Sequence, residues 1–138
     1  MLTATSLDDL VTAYLGLAEV GVALFDECGR ILRTNDNLER LLGCRGGQLL
    51  QTSYFELSHP DDRESESAAF SALTDGGQQT YALEKRLLLG AHDLAHYQGV
   101  LHVECMVTRY RYQEKMVFLA LMQEMKIYRH FKTRHNET

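Results

Sequence analysis

Apolar positions near the start of the chain fall at helical spacing. Leu7, Leu10, Val11, Tyr14, Leu15 and Ala18 form one stripe, and Ser6, Asp8 and Asp9 supply a cap and an acidic first turn. That spacing predicts an amphipathic helix over residues 6–19. Two short apolar runs, GVALF and RILRT, then flank Asp26-Glu27-Cys28-Gly29, and they predict a β-hairpin. The aspartate can bond backbone amides there, and the glycine accepts positive φ. Asn35-Asp36-Asn37 opens NLERLLG, a helix capped by Asn35 or Asp36, with Glu39 as a capping-box partner and Gly43 at its end. Residues 46–59 read as a loop with short helical turns. Pro60-Asp61-Asp62 starts a longer helix through Leu73, which Asp75-Gly76-Gly77 closes.

After Gly77 the period changes from helical to alternating. Residues 79–89, 98–110 and 115–125 predict three strands. In the second, Leu101, Val103, Cys105 and Val107 alternate with His102, Glu104, Met106 and Thr108. The third contains MVFLALM, apolar on both faces, which predicts a central strand covered on both sides. Helix, hairpin, helices and then three strands make an α+β chain with one antiparallel sheet.

Composition narrows the function. The chain has 138 residues, with 14 Lys+Arg against 19 Asp+Glu and a formal charge of −5. This length corresponds to one domain with a terminal appendage. No apolar run approaches the roughly 20 residues of a membrane span. MLTATSLDDL lacks a basic segment followed by an apolar one, so the expectation is a cytoplasmic protein without membrane association. Cys28, Cys44 and Cys105 are odd in number and far apart, as expected of free thiols. The tail, residues 126–138, carries Lys126, Arg129, Lys132 and Arg134 against Glu137, a net +3. The rest carries ten basic and eighteen acidic groups, which argues against nucleic-acid binding by the domain itself. The tail reads as a solvated linker helix.

These pieces resemble a PAS domain of the kind whose helical segment ends in His-Pro-Asp-Asp. The matching residues, in order, are Gly21-Val22 with Asp26, Gly29-Arg30-Ile31, Asn35, Leu41-Leu42-Gly43, Ser58-His59-Pro60-Asp61-Asp62 and Tyr81 with Glu84-Lys85-Arg86. The resemblance covers residues 20–125, between an N-terminal amphipathic helix (1–19) and a basic C-terminal tail or linker helix (126–138). It implies a five-stranded antiparallel sheet in the order 2-1-5-4-3, with helices across one face. It also implies a sensory or dimerisation module of a signal-transduction protein, which binds a small ligand or partner and relays the change through flanking helices to an output domain or partner protein. Three segments depart from the family pattern. LLLGAHDLAHYQGV is longer than usual and lacks a tryptophan, Tyr110 to Glu114 replaces an Asp-x-x-Gly turn, and Gln123-Glu124-Met125 replaces the usual Asp-Ile-Thr exit.

The resemblance implies a cavity between the long helix and the sheet. By position its lining is Leu38, Leu41, Phe55, Phe70, Leu73, Tyr81, Leu83, Cys105 and Leu119. The simpler expectation is that these side chains pack against one another as core. Flavin photochemistry is disfavoured, because QLLQTSYFELSHP lacks a reactive cysteine. Haem is disfavoured because residues 61–78 hold no histidine. His92 and His96, with His102, are weak metal candidates. No nucleophile elbow, phosphate loop or HExxH motif is present, so no enzymatic activity is expected. Leu7, Leu10, Val11, Tyr14 and Leu15 are the expected interface of a homodimer. A ligand-free interaction adaptor and a haem- or metal-binding sensor are the alternatives.

Overall fold

The Asp26 carboxylate builds the first turn by accepting hydrogen bonds from the amides of Cys28 and Arg30, both at 2.9 Å. Gly29 completes it at φ +88°, and a Cβ there would sit 2.9 Å from the Phe55 ring. This turn joins strands β1 (Val20–Asp26) and β2 (Ile31–Thr34) in a computed structural model that describes Thr3, Ser6 and residues 20–44, 47–50, 52–90 and 96–125. The expected N-terminal helix beyond Ser6, with Leu7, Leu10, Val11, Tyr14 and Leu15, and the tail 126–138 lie outside the described residues.

Helix α1 (Asp36–Leu42) follows β2 directly. Asn35 is its cap, and it does more than cap. Its Oδ1 accepts from Leu38 N at 3.0 Å and from Val22 N at 2.9 Å, while Nδ2 donates to Val20 O at 3.0 Å. One amide therefore satisfies both the helix start and the β1 backbone. Gly21 lets the two elements touch, since a Cβ there would lie 3.1 Å from Leu38 Cδ1. The expected capping box is absent: Glu39 Oε2 instead receives Thr34 Oγ1 and Gly47 N, each at 3.3 Å.

Short 3-10 turns at Phe55–Leu57 and Pro60–Asp62 lead into helix α2 (Arg63–Thr74). His59 caps the second turn through Nδ1, which accepts from Asp61 N at 3.1 Å. At the other end of α2, Arg109 donates to Leu73 O at 2.6 Å, a cation at the carbonyl end of the helix.

Strands β3 (Thr80–Leu89), β4 (Gly99–Tyr112) and β5 (Lys115–Glu124) complete a five-stranded antiparallel sheet in the order β2-β1-β5-β4-β3. The doubly apolar strand β5 is its centre, as MVFLALM predicts. Phe118, Ala120 and Met122 face the helices, while Val117 and Leu119 join Val22 and Leu24 in a second cluster on the opposite face. The edge strand β3 is partly sealed. His59 N donates to Arg86 O at 2.8 Å, Ser58 bridges Leu87, and Gly90 N donates to Leu42 O at 2.8 Å. Sealing an edge in this way removes a template for unwanted strand pairing.

Candidate functional site

Alternation in β3 turns Tyr81, Leu83, Lys85 and Leu87 toward the helices, and periodicity in α2 turns Glu66, Ala69, Phe70 and Leu73 toward the sheet. A carboxylate and an ammonium thus meet inside the domain. Glu66 is fully buried and Lys85 is 4% exposed. Lys85 Nζ lies 2.6 Å from Glu66 Oε1, which also receives Ser58 Oγ at 3.4 Å. The second oxygen, Oε2, accepts from Tyr81 OH at 2.7 Å and Tyr54 OH at 3.1 Å.

Tyr54 is the hub of this cluster. Its single hydroxyl proton goes to Glu66, so its oxygen is an acceptor for Lys85 Nζ at 2.9 Å and for the Cys105 thiol at 3.2 Å. The ring stacks on Phe25, with centroids 4.1 Å apart and planes 6° from parallel, and the Lys85 ammonium sits 4.3 Å from its centre. Burial pushes the Tyr54 and Tyr81 hydroxyls well above their usual range, and the Glu66 charge adds to the effect. Burial also raises the Cys105 thiol, against the opposing pull of Lys85. The hydroxyls therefore stay protonated and serve as donors, and the thiol stays a weak donor rather than a nucleophile.

A second ion pair runs parallel to the first nearer the surface. Arg86 contacts Asp62 through Nε at 3.0 Å and Nη2 at 2.9 Å, and its backbone amide donates to the same carboxylate at 2.8 Å. The Arg86 guanidinium holds the Asp62 carboxyl below its ordinary range. Two charged contacts thus fasten the start of α2 to β3.

The sequence-derived lining divides. Leu38, Leu73, Tyr81 and Cys105 are buried on the helix side of the sheet, with Phe55, Phe70 and Leu83 packed against them. Phe70 fills space between Phe55 and Phe118, at centroid distances of 5.0 and 4.7 Å. Two positions are corrected. Leu119 lies on the opposite face, because inward residues of β5 have even numbers. Leu41 turns away from the core, beside Asn37, Arg40, Gln123 and Glu124, because α1 buries Leu38 and Leu42 instead. Glu66, Lys85, Tyr54 and Ser58 were not among the expected site residues. Their signal was the parity of Lys85 with Tyr81 and Leu87 and the spacing of Glu66 from Phe70 and Leu73. His96 and His102 are exposed and His92 lies outside the described residues; among the described residues no three His, Cys, Asp or Glu are placed to hold a metal ion.

A family model described as PAS fold matches residues 10–125. The chain belongs to the PAS family. Similar solved structures agree on the fold. A PAS domain from Colwellia psychrerythraea shares 17% identity at a TM-score of 0.68, covering 87% of this chain and 98% of that one. The PAS domain of nitrogen regulation protein NR(II) from Vibrio parahaemolyticus shares 18% identity at a TM-score of 0.63, covering 88% and 100%. The PAS domain of an HTR-like protein from Haloarcula marismortui shares 17% identity at 0.64, covering 86% and 91%. No curated protein matches the chain. In this PAS domain the buried polar cluster occupies the space between the long helix and the sheet. Among the described residues, no helix is long and apolar enough to cross a membrane.

Proposed function

We propose that this PAS domain is a sensory and dimerisation module of a cytoplasmic signal-transduction protein. A small ligand or partner shifts the packing of α2 on the sheet, and the flanking segments carry the change to an output domain or partner protein. The domain performs no chemistry of its own. The observation that carries this reading is the charged attachment of α2 to β3 through Glu66–Lys85 and Asp62–Arg86. A helix held by charge separates from its sheet with less loss than one held by apolar area alone, because both ions regain hydration. On this reading α2 is the element that moves between two arrangements when the domain switches.

The test compares hydrogen exchange in the wild type and in Glu66→Gln, which keeps the shape and removes the charge. Faster exchange in α2, together with altered protection in residues 7–19 and 126–138, is expected. Unchanged flanks would overturn the relay. Light scattering at tens of micromolar is expected to report a dimer, and a monomer removes the dimerisation role. One observation favours the ligand-free adaptor as a second reading: among the described residues, the chain's own side chains pack against one another between the helices and the sheet. Mass spectrometry of the purified protein separates the two, since a co-purified small molecule excludes the adaptor.

A further inference from the structure

Four donors converge on the Glu66 carboxylate, and none comes from the helix that carries it. Lys85 and Tyr81 belong to β3, and Tyr54 and Ser58 to the segment before α2. Without the glutamate, one ammonium and three hydroxyls would still point at a single buried position. That is the donor set of a carboxylate receptor: a cation for the charge and hydroxyls for the remaining lone pairs. The neighbours of Glu66 on α2, Ser65 and Ser67, are exposed and lie about 100° round the helix to either side, so the carboxylate reaches water when α2 turns by roughly that much or lifts from the sheet. The apolar side chains that such a movement must carry with it are Leu73, which is fully buried, and Ala69 and Phe70, which are partly buried and packed against the core.

We infer that this cluster is a binding site for a small monocarboxylate, and that the Glu66 side chain is its resident occupant. The ligand replaces Glu66 on Lys85, Tyr81, Tyr54 and Ser58, and the displaced glutamate leaves with α2. The volume released by the side chain is that of a propionate ion, which sets the ligand size at two to four carbons, on the order of one buried side chain. A tethered carboxylate competes at an effective concentration of millimolar order or above, so the free ligand binds the wild type more weakly than a variant lacking the tether.

The inference rests on the sensory reading for its consequence, but the binding is tested by itself. In Glu66→Ala, sodium propionate is expected to raise the melting temperature saturably, whereas sodium chloride and the isosteric neutral amide propionamide do not. Adding Lys85→Met is expected to abolish the effect. Absence of a saturable rise, or an equal rise with propionamide, overturns the site. Should Glu66→Ala fail to fold, propionate is titrated into the wild type by heteronuclear NMR. Saturable shifts clustered at Lys85, Tyr81, Ser58 and α2 are then expected, and their absence, or shifts elsewhere, overturns the inference. Such a failure leaves the relay through α2 standing, because that is read from flank exchange in Glu66→Gln without any ligand.

Discussion

Glu66 and Lys85 are each costly to bury alone and tolerable only together. Their contact is 2.6 Å, and the remaining lone pairs of the carboxylate are filled by Ser58, Tyr54 and Tyr81. Lys85→Met therefore leaves a buried carboxylate without its cation and is expected to cost about 3–5 kcal/mol. Glu66→Gln/Lys85→Met removes both charges while the amide oxygen still accepts from a tyrosine. It is expected to recover most of that loss, which urea denaturation of the wild type and the two variants would measure. A single-variant cost below about 1 kcal/mol would be the value of a surface pair and not of this one. Asp62, in the ion pair nearer the surface, ties stability to pH. Its carboxyl in the folded state lies below its ordinary value of 3.8, chiefly through hydrogen bonds from Arg86. Its contribution is thus fully present above that value and is lost as pH falls through the folded-state value. The stability gap between wild type and Asp62→Asn is expected to stay constant from pH 7 to about pH 5 and to shrink progressively below it. Charge at Lys85 and Glu66 was legible as parity along a strand and a helix. Their pairing was not, since periodicity says which face a residue takes and nothing about which element lies opposite.

At the level of elements, local chemistry carried most of the information. The Asp26 turn, the Asn35 cap and the doubly apolar β5 all follow from residue type and period, and each is found where those place it. What escaped was chemistry directed at distant backbone. Asn35 also binds Val22 and Val20, thirteen and fifteen residues away, and Glu39 turns from its own cap toward Thr34 and Gly47. The β4–β5 hairpin shows the opposite situation, a turn whose residues resist its geometry. Gln113 and Glu114 both have positive φ, 48° and 64°, between the paired residues Tyr112 and Lys115. Two consecutive left-handed residues define the hairpin turn that favours Asn-Gly, and side chains with a Cβ are strained in it. Gln113→Asn/Glu114→Gly is expected to stabilise the domain by about 1 kcal/mol, after the greater unfolded-state entropy of glycine is set against the relieved strain. A calorimetric melting temperature some 3 °C higher is the expected readout. No change, or a decrease, would mean that the surrounding strands impose the turn without strain.

For the molecule as a whole, the sheet separates two apolar regions of unequal kind. The helix side holds the larger core, the aromatic group around Phe25 and the charged cluster. The opposite side holds Val22, Leu24, Val117 and Leu119, with Val20, Leu32, Tyr110, Tyr112 and Leu121 around them. Leu119 is 2% exposed there, as enclosed as Leu38 on the helix side at 0%. Toward β3 the same face opens, and Met106 is 43% exposed above a concavity that includes Glu84 and Glu104. Burial on both faces of β5 makes the outer leucine a core residue energetically, whatever its distance from the helices. Leu119→Ala is therefore expected to cost as much as Leu38→Ala, about 2–5 kcal/mol each by chemical denaturation. Because the two side chains lie on opposite faces and share no cluster, the double variant is expected to lose the sum of the two costs to within about 0.5 kcal/mol. A loss at Leu119 of well under 1 kcal/mol would mean that water reaches the outer face in solution. The sheet would then be a one-sided platform, and β5 would owe its apolar outer face to association with another surface rather than to the folding of this chain.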